Sequence, residues 1–200
     1  MATATREPSV LNLPNQLTLS RLVLGVVLFA LIEWGRALGD SAAGVWIACI
    51  VVFAVAAATD WLDGYVARLQ GLVTSLGRQL DPLVDKVVVC GAYIFLLPME
   101  TRTGLSAWMV TVVVGRELII TGVRNFLESG GARFGADWLG KVKMTLQCAT
   151  LFAIFVVLAL AEPSALLVWI RDILLYAMIA ATVLSGVQYL WRAAILMKRD

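Results

Sequence analysis

Asp60, Asp63, Asp81 and Asp85 fall within the 26 residues DWLDGYVARLQGLVTSLGRQLDPLVD, between segments apolar enough to sit in a lipid bilayer. A charged side chain at membrane depth is costly, so four acids this close together ask for compensating positive charge. No basic cluster of matching size lies within the stretch. Divalent cations are the natural counter-charge, and oxygen ligands of this kind suit Mg²⁺ or Mn²⁺. Asp60 and Asp63 lie about one helical turn apart and share a face, as do Asp81 and Asp85 on the next apolar segment. The short stretch 69–78 would make the two helices antiparallel neighbours. Their acids could then converge on one site, where a pair of ions about 4 Å apart would use four carboxylates well.

The residues between the acids suit a phosphate ligand. Gly64, Ala67 and Gly77 keep the helix faces shallow, so that a base or a pyrophosphate can approach the backbone. Arg68 can pair with phosphate oxygens. The chain has no histidine, so a carboxylate must act as base, or bound metals must lower the pKa of the attacking hydroxyl. Cys49, Cys90 and Cys148 are isolated within apolar segments and read as small buried side chains, with neither metal-ligand spacing nor an obvious pairing. No nucleic-acid module or P-loop is present.

The elements that carry these residues must be membrane helices. Of 200 residues 60% are apolar and only 15% charged, with a mean hydropathy of +0.87, which excludes an ordinary soluble domain. Six apolar segments, at about 17–36, 42–66, 79–97, 107–127, 140–160 and 167–190, are each near the length needed to cross a bilayer as a helix. The fold expected is an all-α integral membrane bundle of six transmembrane helices forming one polytopic domain over 1–200, with 1–16 as a cytoplasmic N-terminal segment. The first apolar segment lacks a convincing cleavage site and is expected to stay as an uncleaved helix.

With a cytoplasmic N-terminus, the outer connections contain or adjoin only Arg36, Arg102 and Arg171 among 16 basic residues. Six tryptophans, Trp34, Trp46, Trp108, Trp138, Trp169 and Trp191, are expected at interfacial helix ends, with Trp61 near the inner end of the second span. Both patterns turn the acidic cluster toward the cytoplasm.

The spacing Asp60-x2-Asp63-Gly64-x2-Ala67-Arg68-x8-Gly77-x3-Asp81-x3-Asp85 resembles the full signature of the CDP-alcohol phosphatidyltransferase family. That resemblance implies transfer of a phosphate-linked lipid group from a CDP-activated donor to an alcohol, with release of CMP. It makes Asp60, Asp63, Asp81 and Asp85 ligands of two Mg²⁺ or Mn²⁺ ions and Asp85 also the general base. It assigns Gly64, Ala67, Arg68, Thr74 and Gly77 to the CDP-diacylglycerol site, together with the N-terminal Asn15, Gln16, Leu17 and Thr18. Gln16 and Leu17 read equally well as an interfacial helix start after Pro14. The resemblance also implies a homodimer in the cell membrane.

Specificity for the acceptor should lie elsewhere. Arg116 and Arg124 are eight apart in an apolar segment and share a face, and Lys141 and Lys143 open the fifth span. Such cations suggest an anionic acceptor carrying a phosphate. NLPNQLTLSR at 12–21, ATDWLDGYVAR at 58–68, LDPLVDK at 80–86, GREL at 115–118 and GKVKM at 140–144 resemble the branch of the family whose acceptor is sn-glycerol 3-phosphate. Met144 stands where a threonine is more usual in that branch. By this resemblance the acceptor phosphate meets Arg116, Arg124, Lys141 and Lys143. Two other roles stay open: Arg116 could pair with Glu117, and Lys141 and Lys143 could anchor the helix at lipid headgroups. Another phosphorylated acceptor, such as inositol phosphate, or a carboxylate-lined cation transporter, are the alternatives.

Overall fold

The structure, a computed structural model, describes the backbone of residues 13–70, 75–129 and 138–197, and within these the side chains of 19–59, 83–127, 129 and 138–196. Among the described residues there are seven α-helices and no strand. They are α1 (Leu13–Leu38), α2 (Ala43–Gln70), α3 (Ser75–Leu96), α4 (Glu100–Thr103), α5 (Ala107–Ser129), α6 (Trp138–Ala159) and α7 (Ala165–Met197). Among the described residues, three stretches are long and apolar enough to cross a membrane: Leu19–Thr59, Trp138–Ala159 and Ala165–Leu196. The first contains the 3₁₀ turn Gly39–Ala42, on either side of which α1 and α2 pack against each other, so it is a helical hairpin rather than one rod.

Local chemistry sets the helix ends. Pro14 sits in the first turn of α1, where a missing N–H leaves no helical bond unmade. Gly39, at φ +59°, follows the last residue of α1 in the left-handed region that ends many helices. α4 was not anticipated from the sequence. It is a single turn after Pro98, closed by Gly104 at φ +70°, whose N–H donates to the Glu100 carbonyl at 2.8 Å.

α1 packs on α2 and α3, α2 on α6, α6 on α7, and α5 on α7. Leu28, Phe53, Tyr93, Met109, Phe155 and Met178 bring most of these helices into one buried cluster. The Tyr93 hydroxyl donates to the Gln147 carbonyl at 2.9 Å, tying α3 to α6. Glycine lets α1 and α3 approach closely: a Cβ on Gly25 would lie 2.7 Å from Val88 Cγ2, and one on Gly91 would run into the Phe29 ring. Gly25→Leu is therefore expected to destabilise the detergent-solubilised protein by about 1–3 kcal/mol through overpacking. An unchanged melting temperature would show that the two helices do not meet there.

One aromatic expectation is corrected. Trp46 is not an interfacial ring but a core one, 1% exposed, with Gly35 against its benzo edge. Trp34, Trp108, Trp138, Trp169 and Trp191 are exposed, as ring belts at a lipid surface require. The Trp61 side chain lies outside the described residues. At the end of the bundle where α4 sits, buried Arg171 donates to the Arg102 carbonyl at 2.7 Å, and Arg102 lies 3.5 Å from Asp40 in the α1–α2 turn.

Candidate active site

The close approach of α1 and α3 carries a polar consequence one turn away. Arg21 Nη1 donates to Asp85 Oδ1 at 2.6 Å, with 4% of the arginine side chain and 24% of the aspartate exposed. A pair this short and shielded from solvent is held far more firmly than a surface ion pair. It borders a cavity of about 270 Å³ between α1, α2, α3 and α6, to which α2 contributes Ala56 and Ala57 and α6 contributes Met144 and Thr145. The three free cysteines keep to the apolar interior, and Cys148 lines this cavity.

Asp85 is the one member of the acidic cluster whose side chain is among those described. Asp60, Asp63, Gly64, Ala67 and Arg68 belong to α2, and Gly77 and Asp81 to α3, while their side chains lie outside the described residues. Thr74 lies outside them altogether, and the side chains of Asn15, Gln16, Leu17 and Thr18, in the first turns of α1, do so too. The backbone register is nonetheless clear: Asp60 follows Ala56 by one turn of α2, and Asp81 precedes Asp85 by one turn of α3. Among the described residues no group of three His, Cys, Asp or Glu side chains gathers around a possible metal position.

A second cavity, of about 340 Å³, gathers the four cations singled out as acceptor ligands, Arg116, Arg124, Lys141 and Lys143, and adds Lys86. Its single carboxylate among the described residues, Glu117, is buried; Lys143 Nζ donates to its Oε1, and Arg116 Nη1 sits 3.3 Å from the same oxygen. The Arg116–Glu117 pairing left open by the sequence is thus present. Lys143, at 4% exposure, is no headgroup anchor; Lys141 is exposed. Lys86 Nζ donates to Thr121 Oγ1 at 2.5 Å, and Thr121 in turn donates to the Glu117 carbonyl at 2.6 Å. Arg124 Nε donates to the Tyr189 hydroxyl at 3.3 Å, with the guanidinium 5.5 Å from the ring centroid.

The two cavities are neighbours. Met144 borders both, and α3 presents Asp85 to one and Lys86 to the other. Arg21, Lys86, Thr121 and Tyr189 are site residues that the sequence reading passed over. A usable signal existed for Arg21 and Lys86, since each is a charge set inside an apolar helix. Thr121 and Tyr189 carried none.

Comparison with known proteins identifies the family. The family model for CDP-alcohol phosphatidyltransferase matches residues 11–186. The chain is 37% identical over 185 residues to the CDP-diacylglycerol–glycerol-3-phosphate 3-phosphatidyltransferase of Bacillus subtilis, covering 89% of this chain and 93% of that protein. Proteins of the same description from Yersinia enterocolitica and Sodalis glossinidius are 33% and 32% identical, over 90% and 92% of this chain and 93% and 95% of theirs.

Proposed function

This chain belongs to the CDP-alcohol phosphatidyltransferase family, and we propose that its two adjoining cavities are the donor and acceptor halves of one transfer site. The chain transfers the phosphatidyl group of CDP-diacylglycerol to sn-glycerol 3-phosphate, giving phosphatidylglycerophosphate and CMP. Its relatives of that description match about nine-tenths of its length. The observation that carries the reading is the second cavity: among the described residues, five lysine and arginine side chains and one carboxylate, next to the cavity that Asp85 lines. A phosphomonoester supplies the negative charge that such a cavity lacks. A carboxylate-lined cation path would be opposed by so many neighbouring cations, which speaks against the transporter alternative.

The donor set fits an oxygen-seeking divalent cation, because Asp85 offers a carboxylate to a cavity and Asp60 and Asp81 stand one turn from residues that line it. Mg²⁺ or Mn²⁺, as two ions on Asp60, Asp63, Asp81 and Asp85, would bind the donor diphosphate and offset the charge on departing CMP. Asp85 takes the proton of the attacking hydroxyl, and Arg21 fixes the direction of that carboxylate. The segment Asn15, Gln16, Leu17 and Thr18, with Gly64, Ala67, Arg68, Thr74 and Gly77, holds the CDP moiety. Arg124 and Lys141, with Arg116 and Lys143 behind them, hold the acceptor phosphate. Attack is in line at the lipid-bearing phosphorus, with no covalent enzyme intermediate.

The proposal includes six membrane crossings in the cell membrane, both cavities at the cytoplasmic end, and a homodimer. In support of the orientation, the basic residues gather at the cavity end, while Arg102, Arg171 and Asp40 meet at the end marked by α4. The test is purified protein with CDP-diacylglycerol, a divalent cation, and glycerol 3-phosphate, inositol phosphate or phosphatidylglycerol in turn, read as CMP release. Glycerol 3-phosphate is expected to be the productive acceptor. Release of CMP with inositol phosphate or phosphatidylglycerol but not with glycerol 3-phosphate would overturn the acceptor assignment.

A further inference from the structure

We propose that Lys86 is a specificity-determining residue that couples recognition of the acceptor phosphate to Asp85, and that Thr121 is its positioning residue. The inference rests on the acceptor reading above and deepens it. Consecutive residues of a helix point about 100° apart, so α3 can serve two cavities from one turn. It gives Asp85 to the cavity bounded by Arg21 and Lys86 to the cationic one. A phosphate held by Lys86 therefore arrives beside the helix turn that carries the base.

Three of the other four cations are partly engaged, and the fourth, Lys141, is exposed. Lys143 and Arg116 answer the buried charge of Glu117, and Arg124 is held by Tyr189. The Lys86 ammonium has three N–H groups, of which Thr121 takes one. The Thr121 hydroxyl spends its only proton on the Glu117 carbonyl at 2.6 Å, so toward Lys86 it can only accept. Thr121 thereby fixes the direction of the ammonium without neutralising it, and leaves two donors for a phosphate. A neutral alcohol would bring no charge to this position, which is how the site discriminates against one.

Steady-state kinetics with CDP-diacylglycerol and either glycerol 3-phosphate or glycerol test this in wild type, Lys86→Gln, Lys86→Arg and Thr121→Val. Lys86→Gln is expected to raise KM for glycerol 3-phosphate by about tenfold to a hundredfold, the range for a hydrogen bond to a charged group. KM for CDP-diacylglycerol should stay within about twofold, and the preference for glycerol 3-phosphate over glycerol should fall in parallel. Lys86→Arg should recover part of the loss. Thr121→Val, which keeps the charge and frees its direction, should raise the same KM by roughly three- to tenfold.

An unchanged KM for glycerol 3-phosphate in Lys86→Gln, or equal rises for both substrates, overturns the proposal. If Lys86→Gln fails to fold, Thr121→Val decides, and an unmoved KM there overturns it equally. Wild-type protein that ignores glycerol 3-phosphate would remove the acceptor reading and this inference together. Wild type that uses it while the variants keep their KM removes this inference alone.

Discussion

Asp85→Asn is expected to lower the turnover of CDP-diacylglycerol to CMP by about 10²- to 10⁴-fold, the usual worth of a positioned general base. The amide cannot accept the hydroxyl proton, and it is a poorer ligand for a hard cation than the carboxylate it replaces. The change also leaves the buried Arg21 guanidinium facing a neutral partner at 2.6 Å. Some loss of stability must therefore be separated from loss of chemistry. Asp85→Asn combined with Arg21→Gln removes both charges and should recover melting temperature without recovering turnover. Retention of more than about a tenth of wild-type turnover by Asp85→Asn would withdraw the base assignment.

Glu117→Ala is expected to destabilise the protein by about 3–5 kcal/mol, because it strips a buried carboxylate from Lys143 and Arg116 and leaves their charge uncompensated. Replacing the closest pair together, as Glu117→Gln with Lys143→Met, should return part of that stability, since it removes the ammonium along with the carboxylate and leaves Arg116 an amide oxygen in place of the lost charge. Thermal unfolding in detergent measures both. If the double variant is as unstable as Glu117→Ala alone, the Lys143–Glu117 contact is not what holds α5 to α6 at this end.

What could be read from the chain, and what could not, follows from the range of the forces involved. Acids and bases inside apolar helices announce themselves by their energetic cost, so Asp85, Arg116, Arg124, Lys141 and Lys143 stood out, and the last four do share one cavity. Helical spacing revealed which residues lie on a common face but not which face meets which helix. The Arg21–Asp85 contact spans 64 positions and depends on α1 closing on α3 at Gly25, a matter of missing side-chain volume that no pattern of charges records. Tyr189 entered the cationic cavity from α7, beyond the motifs that guided the reading. Trp46 misled for a related reason, since an indole near a helix end suits either a lipid surface or a glycine-lined gap in the core.

Met144 borders both cavities. Its thioether is unbranched and turns about three bonds, whereas a threonine there would be short and stiff. The edge shared by the two cavities accordingly includes one pliant side chain. That side chain can change rotamer without any shift of the backbone, so the shape of both cavities at this shared edge is adjustable together.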